Sequence, residues 1–185
     1  MTVGVKMGIS LPEISESEVA RYAGGEFPRM EIDSHESPAV CFAELPVSKD
    51  GENIKIGSIS ICSRGLIKNL SGCVRVLLFC ATVGASFDRE VLKYSRLSPS
   101  RAVVVSAVGT ERIEALCDAF LDWYKGEYGV KLRPRFSPGY GDLPLELQRE
   151  IFSLLEPEKK IGVTLNDSLL MSPTKSVTAF VGIYE

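Results

Sequence analysis

The side chains best suited to ligand chemistry gather in the hexapeptide Arg135-Phe136-Ser137-Pro138-Gly139-Tyr140. Arginine presents a planar fork of N–H donors that matches a carboxylate or a phosphate. Gly139 lets a ligand come close to backbone, and Pro138 stiffens the approach. Tyr140 adds a flat ring with a polar tip. On these residues alone the stretch reads first as a surface turn, because Pro-Gly dipeptides mark turns in many chains.

Little else in the chain can move protons or attack carbon. The one histidine, His35, sits in the polar stretch Glu31 to Ser37. A Ser-His-Asp or Cys-His arrangement is therefore hard to build. The five cysteines (Cys41, Cys62, Cys73, Cys80, Cys117) form no CxxC pair and are odd in number. Metal and disulfide spacings are missing, so the thiols read as reduced and structural, and no metal is expected. If the protein takes part in chemistry, the hard step is expected from something other than its side chains.

The elements that would position the hexapeptide follow from periodicity. From Ile113, the apolar residues Leu116, Cys117, Phe120, Leu121 and Tyr124 recur at helical spacing. Glu111, Glu114, Asp118, Asp122 and Lys125 then occupy the opposite face, and Gly126 is expected to end the helix. Ser98-Pro99 opens the element before it. Val74 to Thr82 is apolar on both faces after Arg75, as in a central strand covered on both sides. A helix follows from about Ser86. Ala39 to Val47 and Asn53 to Ser63 read as a hairpin across Ser48 to Gly51, with a bulge near Gly57. Asp142 and Pro144 should start a helix that Pro157 stops, Ile161 to Leu165 a short strand, and Ser176 to Ile183 a closing strand. Near the start, Ile14 to Tyr22 is a short helix capped by Ser15 or Ser17 and stopped by Gly24-Gly25. The mixed order of elements points to an α+β fold, a mixed or antiparallel sheet with flanking helices.

A length of 185 residues suits one domain, residues 1–185. Apolar residues at 45% and charged residues at 24% are ordinary for a soluble globular protein. The net charge of −3 exerts no general pull on phosphate backbones, so nucleic acid is not an expected partner. The longest apolar stretch, Val74 to Ala85, contains Arg75 and is too short for a bilayer, so no membrane is expected. No secretory signal pattern opens the sequence, and the expected location is the cytoplasm.

In order along the chain, several short motifs resemble the activation domain of cobalamin-dependent methionine synthase. Arg135, Gly139 and Tyr140 match its Arg-x-x-x-Gly-Tyr. Ile161-Gly162 with Leu165, then Met171, Pro173, Ser176 and Val177, match a later block. Glu18-Val19-Ala20-Arg21-Tyr22 is similar to a Glu-Val-Leu-Arg-Tyr helix, and Thr82-Val83-Gly84 with Asp88 to a Thr-Leu-Gly … Asp segment of stand-alone relatives. The resemblance implies binding of S-adenosylmethionine and return of a methyl group to oxidised cobalamin, with an electron from flavodoxin or another reductant. It implies that Arg135 pairs with the donor's carboxylate. Ser137, Pro138 and Gly139 would line the adenosine pocket with nearby backbone, and Tyr140 would face the ligand or the corrin. Asp118, aligned with a family glutamate, would attract the ammonium or sulfonium charge, although Glu114, Asp118 and Asp122 also read as one solvated face. For Met171, Pro173 and Ser176 a packed turn is an equal alternative.

The family's N-terminal Asp-Trp-Thr-Pro-Phe-Phe stretch and its C-terminal tyrosines are not found here, nor is the corrinoid signature Asp-x-His-x-x-Gly. The expectation is a stand-alone reactivation module with a donor site that is weaker or completed by a partner. Cobalamin would be carried by a methionine synthase lacking its own activation domain. Two alternatives stand beside it. One is a non-catalytic scaffold or binding module of the same fold. The other is a small-molecule S-adenosylmethionine methyltransferase, for which the glycine-rich loop is missing.

Overall fold

The computed structural model describes residues 3–24 and 36–184. His35 and Gly25 lie outside the described residues. The elements are β1 (Val3–Met7), α1 (Glu16–Ala23), β2 (Ala39–Asp50), β3 (Asn53–Ile56), β4 (Ile59–Ile61), α2 (Arg64–Asn69) and β5 (Arg75–Thr82). They continue with α3 (Ser86–Leu97), α4 (Pro99–Tyr128), β6 (Lys131–Leu132), α5 (Leu147–Leu155), α6 (Pro157–Ile161), β7 (Thr164–Leu165), β8 (Met171–Ser172) and β9 (Ser176–Tyr184). The main sheet runs β4-β3-β2-β5-β9-β6, with β1 also on β2. Every pairing in it is antiparallel. The fold is α+β, as the sequence order suggests.

The central strands bury both faces, which explains their unbroken apolar runs. Leu77, Phe79 and Ala81 of β5 join Phe42, Ala179 and Val181 under the helices α1, α3 and α4. The alternate residues Val76, Leu78 and Cys80 join Cys41, Ala43 and Phe180 against α2, α5 and the β3–β4 hairpin. Burying one such side chain contributes about 1.5–3 kcal/mol relative to leaving it in water. Phe42, Phe79, Phe120, Trp123 and Tyr124 form an aromatic cluster with ring centroids 5.2–6.3 Å apart. That cluster fixes α4 across the sheet.

Several boundaries differ from the sequence reading. The helix predicted to stop at Gly126 continues to Tyr128, and Gly129 caps it at φ +63°. An exposed glycine costs a helix only about 1 kcal/mol, which the packed face of a 30-residue helix outweighs. Gly57 is not a bulge: at φ +59° it turns the chain, so that β3 pairs back onto β4. The hairpin turn between β2 and β3 sits at Gly51-Glu52, later than expected, because β2 extends to Asp50. The helix expected from Asp142 starts at Leu147. Ile161 belongs to α6, not to a strand, because Pro157 both ends α5 and opens a second short helix. Strand β1 has no counterpart in the sequence reading. Ser15, not Ser17, is the N-cap of α1.

Candidate functional site

Arg135 owes its position to a bulged sheet edge. Lys131 and Leu132 pair with Tyr184 and Ile183 of β9, and Phe136 bridges Phe180. Between Leu132 and Phe136 the edge spans four residues where β9 spans three. One extra residue bends the edge and re-aims a side chain. Pro134, which has no N–H to offer a ladder, is tolerated there. Phe136 turns into the core beneath the sheet, whereas Arg135 meets α4.

On α4, Glu114 and Asp118 stand one turn apart and share that arginine. Arg135 Nη2 donates to Glu114 Oε2 at 2.8 Å and to Asp118 Oδ1 at 3.2 Å. The side chains are 23%, 36% and 70% exposed, respectively, so Asp118 keeps the most access to solvent. Burial alone would lower the Arg135 pKa, but Cys117, Glu114 and Asp118 together hold it above the ordinary value. Cys117, wholly buried between the two acids, has its thiol pushed up to about 12, mainly by burial. Arg135 is thus no free loop arginine; its own acids already satisfy part of the fork.

These charges line an open groove of about 780 Å³ between α4 and the edge segment, with Ser137, Tyr140 and Val177 on its other walls. The groove brings together four of the six residues singled out in the sequence: Arg135, Asp118, Ser137 and Tyr140. Pro138 and Gly139 are not on its wall. Pro138 is buried beneath the turn. Gly139, at φ +85°, donates its N–H to Leu143 O and closes the turn. Tyr140 is 69% exposed at the rim, and its ring stands edge-on to Phe136 at 5.5 Å. On the far side of Glu114 and Asp118 a second groove of about 540 Å³ opens against Glu18, Arg21 and Tyr22 of α1.

Two residues carry more than their sequence context suggests. Glu114, grouped there with a solvated face, is the shorter partner of Arg135. No local signal could show this, since the contact spans the sheet edge. Asp142, taken for a helix start, instead joins the turn to α2. Its carboxylate accepts from Ser63 Oγ at 2.6 Å, Arg64 N at 2.7 Å and Gly65 N at 3.1 Å. The Ser63 hydrogen bond, followed by those of the two amides, holds Asp142 below the usual carboxylate range. Glu111, also expected on the polar face, is buried at 2% exposure. It accepts from Arg112 Nε at 2.6 Å and Nη2 at 2.9 Å.

The later motif residues close on themselves. Ser176 Oγ donates to Pro173 O at 2.7 Å and shares a hydrogen bond with the Thr82 hydroxyl at 2.9 Å, and Met171 pairs with Leu165 across β7–β8. Asp88 accepts from Thr174 N at 2.9 Å and from its hydroxyl. Among the described residues no group of three or more His, Cys, Asp or Glu could hold a metal ion, and no helix is long and apolar enough to cross a membrane.

Comparison with known proteins agrees with this architecture. The family model for the vitamin B12 dependent methionine synthase activation domain matches residues 124–184, the segment that holds the bulged edge, the turn and β9. Methionine synthase of Mycobacterium tuberculosis (strain ATCC 25618 / H37Rv) is 42% identical over 76 residues, 40% of this chain. The chain spans only 6% of that protein's length. A solved structure described as the MetH reactivation domain bound to AdoHcy has the same fold, with a TM-score of 0.58 and 18% identity. The match covers 80% of this chain and 58% of that one. In its fold and in the sequence of its C-terminal third, this chain resembles the activation domain of vitamin B12-dependent methionine synthase.

Proposed function

We propose that the groove beside Arg135 binds S-adenosylmethionine and that the chain, as a stand-alone module, supports reductive methylation of cobalamin on a separate methionine synthase lacking its own activation domain. The observation that carries the reading is the Glu114–Arg135–Asp118 cluster on the wall of an open groove. An amino-acid zwitterion can exchange into such a cluster. Its carboxylate meets the Arg135 fork, while its ammonium or sulfonium charge meets the exposed Asp118. Each charge released from the internal pair finds a partner on the ligand, so no charge is left unpaired. Ser137 and Tyr140 would contact the adenosine half, and Pro138 and Gly139 would shape the turn that presents them.

The chemistry would come from the ligands: a methyl sulfonium donor, a cobalt centre carried by the partner, and an electron from flavodoxin or another reductant. The chain's own task is to hold the donor at attack distance, where positioning alone lowers a barrier substantially. No side-chain acid, base or nucleophile is required. This suits a groove whose Arg135, Glu114 and Asp118 are already paired with one another, and a cytoplasmic location suits five reduced thiols.

The test is calorimetry with S-adenosylmethionine, followed by an assay with an oxidised, cobalamin-loaded methionine synthase lacking its activation domain, donor and reductant. Binding and restored methionine synthesis are expected, with no turnover by the chain alone. Methylation of a small acceptor without any corrinoid would overturn the proposal. A second reading, a non-catalytic scaffold, is favoured by one observation: Arg135 is already paired in part within the chain, through Nη2 to Glu114 and Asp118. Absence of donor binding, both alone and with the partner, selects it.

A further inference from the structure

Among the charges lining the groove, three are in mutual contact. Lys125 is paired with Asp122 at 2.9 Å. Arg133 keeps its positive charge, but its guanidinium is engaged by Ser71 O at 3.0 Å and lies 4.7 Å from the Tyr184 ring centroid, and neither of those residues lines the groove. Within the contact cluster itself, Arg135 with Glu114 and Asp118 carries one positive and two negative charges, a local net of −1. Arg135 alone would welcome any carboxylate. With both acids beside it, a plain carboxylate adds a third negative charge to the cluster, which is unfavourable in a partly desolvated wall.

A ligand carrying a sulfonium, an ammonium and a carboxylate has a net charge of +1 and brings the local sum to zero. The matching thioether, left when the methyl group has gone, is neutral and leaves the sum at −1. Two acids therefore do what one could not. Asp118, 70% exposed, is placed to meet the ligand, whereas Glu114, 36% exposed and the shorter partner of Arg135, sets the background charge.

We propose that Glu114 is a specificity-determining residue of this groove, setting a preference for the cationic sulfonium ligand over its neutral thioether counterpart. The inference rests on the reading of the groove as an S-adenosylmethionine site. It assigns Glu114 a role that simple support of Arg135 would not have. Support alone would strengthen or weaken both ligands together. A charge acting on the sulfonium changes their ratio.

The experiment is titration calorimetry of the whole chain with S-adenosylmethionine and with S-adenosylhomocysteine, for the wild type, Glu114→Gln and Asp118→Asn. The wild type should bind the sulfonium more tightly. Glu114→Gln keeps a hydrogen-bonding group for Arg135 and removes the charge. It should lower the ratio of the two dissociation constants by about threefold or more, chiefly by weakening the sulfonium ligand. Added salt should narrow the wild-type ratio as well. An unchanged ratio in Glu114→Gln, with or without a common shift of both constants, overturns the inference and leaves the groove reading intact. The same ratio lost in Asp118→Asn but not in Glu114→Gln assigns the preference to Asp118 alone and also overturns it. A wild type that binds neither ligand removes the groove reading, and the inference with it.

Discussion

The hydroxyl of Ser63 donates to Asp142 across 2.6 Å while accepting the amide of Leu66 at 3.0 Å. One side chain thereby caps α2 and ties it to a turn 79 residues away. Gly65 is part of the same joint. A Cβ there would lie 2.9 Å from both Asp142 Oδ1 and Phe136 Cζ. Phe136 in turn abuts Tyr140, so the rim of the groove is positioned by α2 through contacts no motif contains.

Asp142→Asn should loosen this joint in a pH-dependent way. The folded-state pKa of Asp142 is lowered. Its stabilisation is therefore present above the ordinary carboxylate value, about 3.9, and is lost as pH falls through the lowered folded value. The gap in melting temperature between wild type and Asp142→Asn should be widest near neutrality and shrink below about pH 4. A gap that widens on acidification would contradict the assignment. Gly65→Ala, which forces the turn outward, should weaken S-adenosylmethionine binding together with Asp142→Asn.

Arg135→Ala removes the fork and leaves Glu114 and Asp118 one turn apart without their shared cation. A charge-assisted pair of this kind contributes roughly 1.5–3 kcal/mol, so donor affinity should fall by about ten- to a hundredfold. Arg135→Lys should recover only part of it, because a point charge does not reproduce the fork. Thermal stability should also drop, by about 1 kcal/mol after allowance for solvent screening of a partly exposed pair. Calorimetry and denaturant melts read the two effects separately, and unchanged affinity in Arg135→Ala would sink the carboxylate role.

The five cysteines should divide sharply in reactivity. Cys62 is exposed, while Cys41, Cys73, Cys80 and Cys117 are buried. A thiol-specific reagent should label one residue per native chain, with the rest following only on unfolding. Mass mapping of the label identifies it. Cys117→Ala should cost about 1 kcal/mol as a small cavity and leave donor binding in place.

Tyr124 donates to Glu44 Oε2 at 2.7 Å, and Arg75 Nη1 donates to Glu44 Oε1 at the same distance. Burial first, then Glu44, raises the Tyr124 pKa well above its ordinary value, so the hydroxyl stays a donor. Tyr124→Phe should destabilise the chain by about 1 kcal/mol, with donor binding unchanged, since the residue lies in the aromatic core. Urea titration of the two proteins measures this directly. Loss of donor binding at full stability would show that the core residue reaches the site.

The sequence by itself determined the class of fold and pointed to the loop that carries the candidate site. The α4 stripe from Ile113 to Tyr124 reads as a helix because burial repeats every three to four residues, and every apolar position named in it is buried. Strand β5 is legible because a covered strand needs apolar residues on both faces, and β9 because Val177, Ala179, Val181 and Ile183 alternate along it. Arg135 to Tyr140 stands out because proline, glycine and a fork-bearing arginine fall together.

Only the tertiary structure decided which charges meet. Glu114 and Asp142 each look like ordinary polar residues of a helix face and a helix start. Their partners lie 21 residues away at Arg135 and 79 away at Ser63. Helix boundaries slipped for a related reason. Gly126 is a local stop signal, but the packed face of α4 outweighs it, and Asp142 is a local start signal diverted to cap another helix. Local propensities differ by about 1 kcal/mol or less per residue. Burial and charge pairing across the sheet are larger, and they depend on residues that adjoin only once the chain has folded.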